Sequence, residues 1–465
     1  MIEDCRSTKA IRKEILILII PIIMESILSI LAGIVSTALV GRLTPLAISA
    51  QGVVFRITDL TAVLWGGLRI GAMVCIARLY GEGQYVKSKQ VFQSISIATL
   101  ILGAVIQVVL LIAPMTFLTF FTSDAEILTA ARSYMNIVVI GFPFLIMTRF
   151  NSAAFQAYGD TKTPMLLQLL INIVNIVAGY LFIFVFKWDL LGAGWATVLS
   201  QVAGAIVGLY LMYRKNGLFK QAKEHVSLRK LDKSSIKETY ATGIPAALEA
   251  GFWQMSAIIM SKVILSYGTE AFAAYNLSTQ AETITELPVI GFTVAATALA
   301  GKAYGKKDSY LFKAYYKEQL KMNAFISLIA SLLLVLLPGV FMIFVTNNPE
   351  LQAIGKVYLI IMGLIQIPQN IQRTYKGTLY AVGHKRVPMY ISGFGIWLVR
   401  IPLALAAAYI FKFDLISIWI IIALDQVIRC LITMIYIKKK RVLDSVELAE
   451  EKEASLSGTS YVSAK

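Results

Sequence analysis

Ile19-Ile20-Pro21-Ile22-Ile23-Met24-Glu25 and, 224 positions on, Gly243-Ile244-Pro245-Ala246-Ala247-Leu248-Glu249 carry the same Pro-x-x-x-Glu step inside apolar sequence. At that one offset Tyr80-Gly81 meets Tyr304-Gly305, Tyr134 meets Tyr358, Arg149 meets Arg373, Gly159 meets Gly383 and Trp195 meets Trp419. A fixed offset that preserves prolines, a glutamate and an arginine points to two copies of one unit, the arrangement of two-lobed transporters.

Outward from that stretch the chain is too apolar for a water-facing surface: 57% of its 465 residues are hydrophobic and only 15% are charged. About 20 apolar residues, at about 1.5 Å each, cross roughly 30 Å of hydrocarbon. Twelve such stretches can be drawn, from 15–39 to 415–437, among them 133–154 and 358–380. The expected fold is an all-α integral membrane protein. Twelve transmembrane helices form two six-helix lobes, related by a pseudo-twofold axis along the membrane normal, around a central cavity.

The net charge of +16 invites a nucleic-acid reading, but its distribution argues for topology. Arg6, Lys9, Arg12 and Lys13 precede the first span, Lys438, Lys439, Lys440 and Arg441 follow the last, and every second loop between them is basic. The positive-inside rule then places both termini in the cytoplasm of a multi-pass cell-membrane protein. The organisation read from this is an N-lobe 1–213, a basic cytoplasmic connector 214–237, a C-lobe 238–441 and a mobile cytoplasmic tail 442–465.

Three cysteines without a CxxC spacing, two histidines expected in loops, and no GxxxxGK[ST] motif leave no metal cluster, catalytic pair or nucleotide loop. The chain is therefore read as a transporter rather than an enzyme, without a cofactor. Its partners are small organic substrates and the lipid bilayer, and a monomer is expected.

Charges inside hydrocarbon cost about 2.5 to 3.5 kcal/mol on insertion scales and mark pathways. Glu25 and Glu249 each lie eleven residues beyond a charged edge residue, Glu14 or Glu238, which is about 16 Å deep and near the bilayer midplane. They are the candidate ion-coupling groups, with Na⁺ as an alternative to H⁺ at Glu249. The competing reading makes them structural, paired with a buried arginine such as Arg69 or Arg149. On the helical face of Glu25 follow Ser29, Ala32 and Ser36; on that of Glu249 follow Trp253, Ser256 and Met260. These, with Glu282 and Glu286, Gln168 and Asn172, and the repeat arginines Arg149 and Arg373, make up the candidate substrate cavity. Arginines at 69, 149, 373, 400 and 429 all fall in spans. If several face the cavity, an anionic substrate such as a lipid-linked sugar phosphate fits better than a cation.

Four segments resemble the multidrug and toxic compound extrusion (MATE) family. They are Pro21 through Val40-Gly41-Arg42-Leu43; Gln156-Ala157-Tyr158-Gly159-Asp160-Thr161-Lys162-Thr163-Pro164; Gly243-Ile244-Pro245 through Glu249; and Gly268-Thr269-Glu270-Ala271 through Tyr304-Gly305. The resemblance implies a secondary active antiporter that exports organic, often cationic and amphipathic compounds in exchange for H⁺ or Na⁺ by alternating access. A lipid-linked oligosaccharide flippase of related fold is the alternative. Two departures stand out. Ser36 occupies the place where many relatives carry a helix-one aspartate, and Glu249 follows Pro245 by four positions where another branch spaces the pair by about eight.

Overall fold

The computed structural model describes residues 7–222, 231–449 and 451, and these are helical with no strand among them. Residues 223–230 of the expected connector, and 450 and 452–465 of the expected tail, lie outside the described residues. The first half runs α1 (Thr8–Val40), α2 (Pro45–Gly81), α3 (Tyr85–Ile112), α4 (Pro114–Leu118), α5 (Ala125–Ile140), α6 (Phe142–Ala157), α7 (Lys162–Tyr180) and α8 (Asp189–Tyr213). The second runs α9 (Lys233–Leu265), α10 (Thr269–Gly305), α11 (Ser309–Leu336), α12 (Pro338–Val345), α13 (Pro349–Leu364), α14 (Gln366–Ala381), α15 (Val387–Phe394), α16 (Ile401–Leu405) and α17 (Leu415–Lys439). Helices α2, α3, α5 and α6 recur as α10, α11, α13 and α14 with both ends displaced by the offset read from the sequence.

Among the described residues ten helices are long and apolar enough to cross a membrane, and up to twelve spans result if each of two bent pairs counts as one. The pairs are α5 with α6, bent by 47°, and α13 with α14, bent by 52°. They fall on the stretches read as the single spans 133–154 and 358–380. The breaks have a local cause. Pro143 and Pro368 stand in the first turn of α6 and α14, where the missing N–H and the ring forbid continuation of the preceding helix. Lipid-facing stripes are plain: α3 exposes Ile101, Val105, Val108 and Ile112 at helical spacing.

The Gly159-Asp160 corner shows why that motif reads as it does. Gly159 (φ 85°) and its repeat counterpart Gly383 (φ 92°) end α6 and α14 in the left-handed region that favours glycine. Asp160 then starts α7 by accepting from the Thr163 backbone N–H at 3.0 Å and from its hydroxyl at 2.6 Å.

The chain divides into two compact units, and the divide runs through the two helices that carry the repeated prolines. The N unit is 20–247; the C unit is 7–19 together with 248–449. Each unit is thus completed by a helix start from the other half of the sequence. In the N unit a side chain on Gly67 of α2 would run into the Gly243 and Ala247 backbone of α9. In the C unit the counterpart Gly291 of α10 faces Ile19 of α1. The same exchange is repeated in charge: Arg78 pairs with Glu238 at 3.2 Å in the N unit, and Lys302 with Glu14 at 3.4 Å in the C unit. Tyr315 adds a hydroxyl to Glu14 at 2.7 Å. Close backbone approach through small residues is how helices associate without a hydrophobic driving force between them.

Each unit has its own apolar core. Tyr134, Met135 and Phe142 are central to the N unit, and Met260, Tyr358 and Trp419 to the C unit. The start of the expected tail is packed: Val442 and Val446 are buried, and Lys313 pairs with Asp444 at 2.9 Å and Glu447 at 2.8 Å. Hydrogen bonds from that ammonium hold both carboxyls below their ordinary pKa range.

The helix contacts predict opposite outcomes for two glycine substitutions, read by size-exclusion chromatography and thermal unfolding in detergent. Gly67→Val forces α2 from α9 and should abolish monodisperse protein, beyond the ~1–3 kcal/mol of ordinary overpacking. Gly291→Ala brings a Cβ to 3.2 Å from the movable Ile19 Cγ2 and should unfold within about 4 °C of the parent.

Candidate substrate and coupling site

Glu25, one turn beyond Pro21 in α1, reaches a polar cavity of about 270 Å³ within the N unit. Ser29, Ser36, Arg149, Gln168, Ser200 and Gln201 line it alongside the apolar walls of Phe55, Leu145 and Ile171. Gln156, fully buried on α6, donates its amide N–H to Glu25 Oε2 at 2.8 Å and accepts from the Arg69 guanidinium at 2.6 Å. Glu25 is therefore held by a neutral donor, with Arg69 one residue removed. Arg149 has no hydrogen bond or ion pair among the described residues, although Arg69 and Glu25 are its electrostatic neighbours.

Asn172 does not line this cavity. Its amide donates to the Leu28 carbonyl at 2.7 Å and its oxygen accepts from Gln168 at 3.0 Å, so it ties α7 to α1 and orients a lining residue.

The repeat counterpart in the C unit is built at the same positions with different residues. Glu249 is buried and accepts from Lys376, from Tyr380 at 2.9 Å and from Ser392 at 2.9 Å. By the 224-residue offset Tyr380 stands where Gln156 does, Lys376 where Ser152 does, and Ser392 where Gln168 does. A primary ammonium thus stands at the position of a hydroxyl, bonded to the glutamate. Trp253, in the place of Ser29, lies against two arginines, with Arg400 4.8 Å and Arg429 4.4 Å from its ring centroid. Both arginines converge on Asp425, each at 2.8 Å.

A second cavity, of about 200 Å³ within the C unit, is lined by Trp253, Glu282, Glu286, Gln369, Arg400 and Gln426, with the rings of Tyr275 and Tyr358. Its carboxylates are engaged. Glu282 accepts from Tyr358 at 2.8 Å and from Gln366 and Gln369 at 3.4 and 3.3 Å. Glu286 accepts from Gln369 and is paired with Arg373 at 2.7 Å.

The candidates read from sequence therefore separate. Glu25, Ser29, Ser36, Arg149 and Gln168 meet at one cavity, and Trp253, Glu282 and Glu286 at another, with Arg373 holding Glu286. Ser256 and Met260 are placed away from both walls. Ser256 is fully buried, and Met260 packs in the apolar core of the C unit. Sharing a helical face with Glu249 did not bring them to a cavity, because Met260 is eleven residues, about 16 Å, along the helix. Lys376 and Asp425, which decide the electrostatics of the C unit, were missed. Asp425 interrupts an apolar stretch and stands at i, i+4 from Arg429, which is the ion-pair spacing, whereas Lys376 lies in a polar run of α14 that gave no such signal.

Long apolar helices, two bent spans and buried acidic and basic side chains fit a multi-pass membrane protein assembled from two sequence repeats, and the family match makes it a transporter rather than an enzyme. The chain belongs to the MatE family, whose match covers residues 21–181 and 245–406, one segment in each repeat. Among relatives, a probable multidrug resistance protein NorM of Thermotoga maritima is 26% identical over 435 residues, 92% of either chain. A probable multidrug resistance protein YoeA of Bacillus subtilis is 23% identical, covering 90% of this chain and 92% of its own. The fold matches a solved outward-facing multidrug resistance MATE transporter of the MOP superfamily with a TM-score of 0.85 at 18% identity, over 94% of this chain and 97% of that one. A MOP superfamily transporter from Pyrococcus furiosus matches with a TM-score of 0.84 at 20% identity, over 94% and 96%.

The Glu249 environment predicts a double-mutant result in thermal or denaturant unfolding. Lys376→Met leaves a buried carboxylate without its counter-charge and should cost about 3–5 kcal/mol. Combining it with Glu249→Gln should recover more than half of that loss.

Proposed function

We propose that the protein is a secondary active antiporter that exports small organic compounds bearing a cationic group, in exchange for H⁺ taken up at Glu25. One observation carries the reading: Glu25 lines a polar cavity and is held by a single neutral donor, while its repeat counterpart Glu249 is buried under an ammonium, a phenol and a hydroxyl. A carboxylate with an unengaged oxygen in a cavity can bind a proton or a substrate cation but not both, and that exclusion is what couples opposite fluxes. Na⁺ at Glu249 would have to displace the Lys376 ammonium, which disfavours that site. Glu282 and Glu286, the latter paired with Arg373, line a second chamber, and substrate contact there is secondary.

The multidrug names of relatives in Thermotoga, Bacillus and Staphylococcus support export of organic solutes as the task. With basic loops inside, both termini lie in the cytoplasm and the protein works as a monomer in the cell membrane. A lipid-linked oligosaccharide needs a far larger enclosure than the N-unit cavity, so the flippase alternative ranks second.

The test is efflux of ethidium from proteoliposomes under an imposed pH gradient, an imposed Na⁺ gradient, or neither. The pH gradient alone should drive transport, and Glu25→Gln should abolish that drive. Drive by Na⁺ alone would overturn proton coupling, and indifference to both gradients would favour the flippase.

A further inference from the structure

Glu25 and Arg149 line the same N-unit cavity without forming an ion pair with one another. Gln156 engages one oxygen of Glu25. Arg149 makes no hydrogen bond or ion pair among the described residues, with Glu25 its carboxylate neighbour, and the rest of the polar wall near them is neutral: serines, two threonines and amides. An isolated guanidinium in such a place is expensive unless a planar acceptor completes it, and carboxylate is the group its fork fits.

We propose that this cavity takes a compact zwitterion, with the ligand's ammonium at Glu25 and its carboxylate on Arg149. The proposal rests on the coupling role given to Glu25 and adds the acidic half of the substrate. A plain cation would satisfy Glu25 but would share the cavity with Arg149 and have Arg69 just behind Gln156. A plain anion would satisfy Arg149 and face Glu25. Only a ligand with both signs, spaced to span the gap, leaves neither group unmatched. The exchange logic survives, since a proton and the ligand's ammonium still compete for one carboxylate. At about 270 Å³ the space is at or below the ~300 Å³ lower end for drug-sized ligands. It therefore suits a small molecule, with Phe55, Leu145 and Ile171 available to a ring.

The C unit offers no equivalent. Arg373, the counterpart of Arg149, is already paired with Glu286.

Calorimetric binding to the purified protein in detergent, without any gradient, tests this with three molecules that share an indole ring: tryptophan, tryptamine and indole-3-propionate. Tryptophan should bind about tenfold or more tighter than either. Arg149→Gln should remove the preference for tryptophan, weakening tryptophan and leaving tryptamine unchanged or tighter, and retained tryptamine binding with a monodisperse size-exclusion peak shows that the variant is folded. Arg149→Lys should restore part of the preference. Tryptophan binding no tighter than tryptamine, or not at all, would overturn the proposal, as would an unchanged ratio in Arg149→Gln. Binding preference with no proton-driven ethidium efflux would remove only the coupling role; efflux without the preference would remove only the zwitterion.

Discussion

A charge held in a dry interior must be matched, and that constraint organises the middle of this molecule. In the C unit most of the matching comes from the chain's own charges, Glu282 being held by neutral donors. Glu249 has Lys376, Glu286 has Arg373, and Asp425 sits between Arg400 and Arg429 under the face of Trp253. Such networks are weak sources of stability compared with well-packed apolar residues, but losing one member leaves a costly orphan. In the N unit the counterparts of Lys376, Glu286, Asp425, Arg400 and Arg429 are the uncharged Ser152, Ala62, Gln201, Ile176 and Ala205, and Glu25 and Arg149 line a cavity. The asymmetry between duplicated halves is therefore chemical rather than architectural: both keep a cavity, but the acids and arginines around the C-unit one are largely paired with each other, while Glu25 and Arg149 are not.

The scaffold itself depends on a second shared device. Each unit takes its first helical turns from the opposite half of the sequence, locked by Gly67 against α9 in one and by Gly291 against Ile19 in the other. The paired salt bridges Arg78–Glu238 and Lys302–Glu14 repeat at the same offset. Because these contacts are exchanged, neither half of the sequence makes up a whole unit by itself. The Pro-x-x-x-Glu step lies where the exchange ends, so the proline and the glutamate mark the change of partner as well as the depth of the site.

Much of this was legible beforehand. The offset between Pro21 and Pro245 announced the repeat, and apolar length gave the spans, because burial in lipid imposes a simple rule on every helix. The two bent spans were not legible as breaks, since a proline that kinks a helix and one that begins a new helix look alike in sequence. Glu25 and Glu249 were legible as unusual acids. What separates them was not, because the partners of Glu249 arrive from positions 376, 380 and 392, and only the fold brings those to residue 249. Met260 shows the converse limit, a residue on the right face but at the wrong depth.

The central claim is that Glu25 alone exchanges a proton for substrate while Glu249 stays locked by Lys376. The most direct measurement is the number of protons released on tryptophan or ethidium binding, from calorimetry in buffers of different ionisation enthalpy across pH 5 to 8. Release should be present in the parent, vanish in Glu25→Gln and persist in Glu249→Gln. Undiminished release in Glu25→Gln, or release that disappears only in Glu249→Gln, would contradict the account.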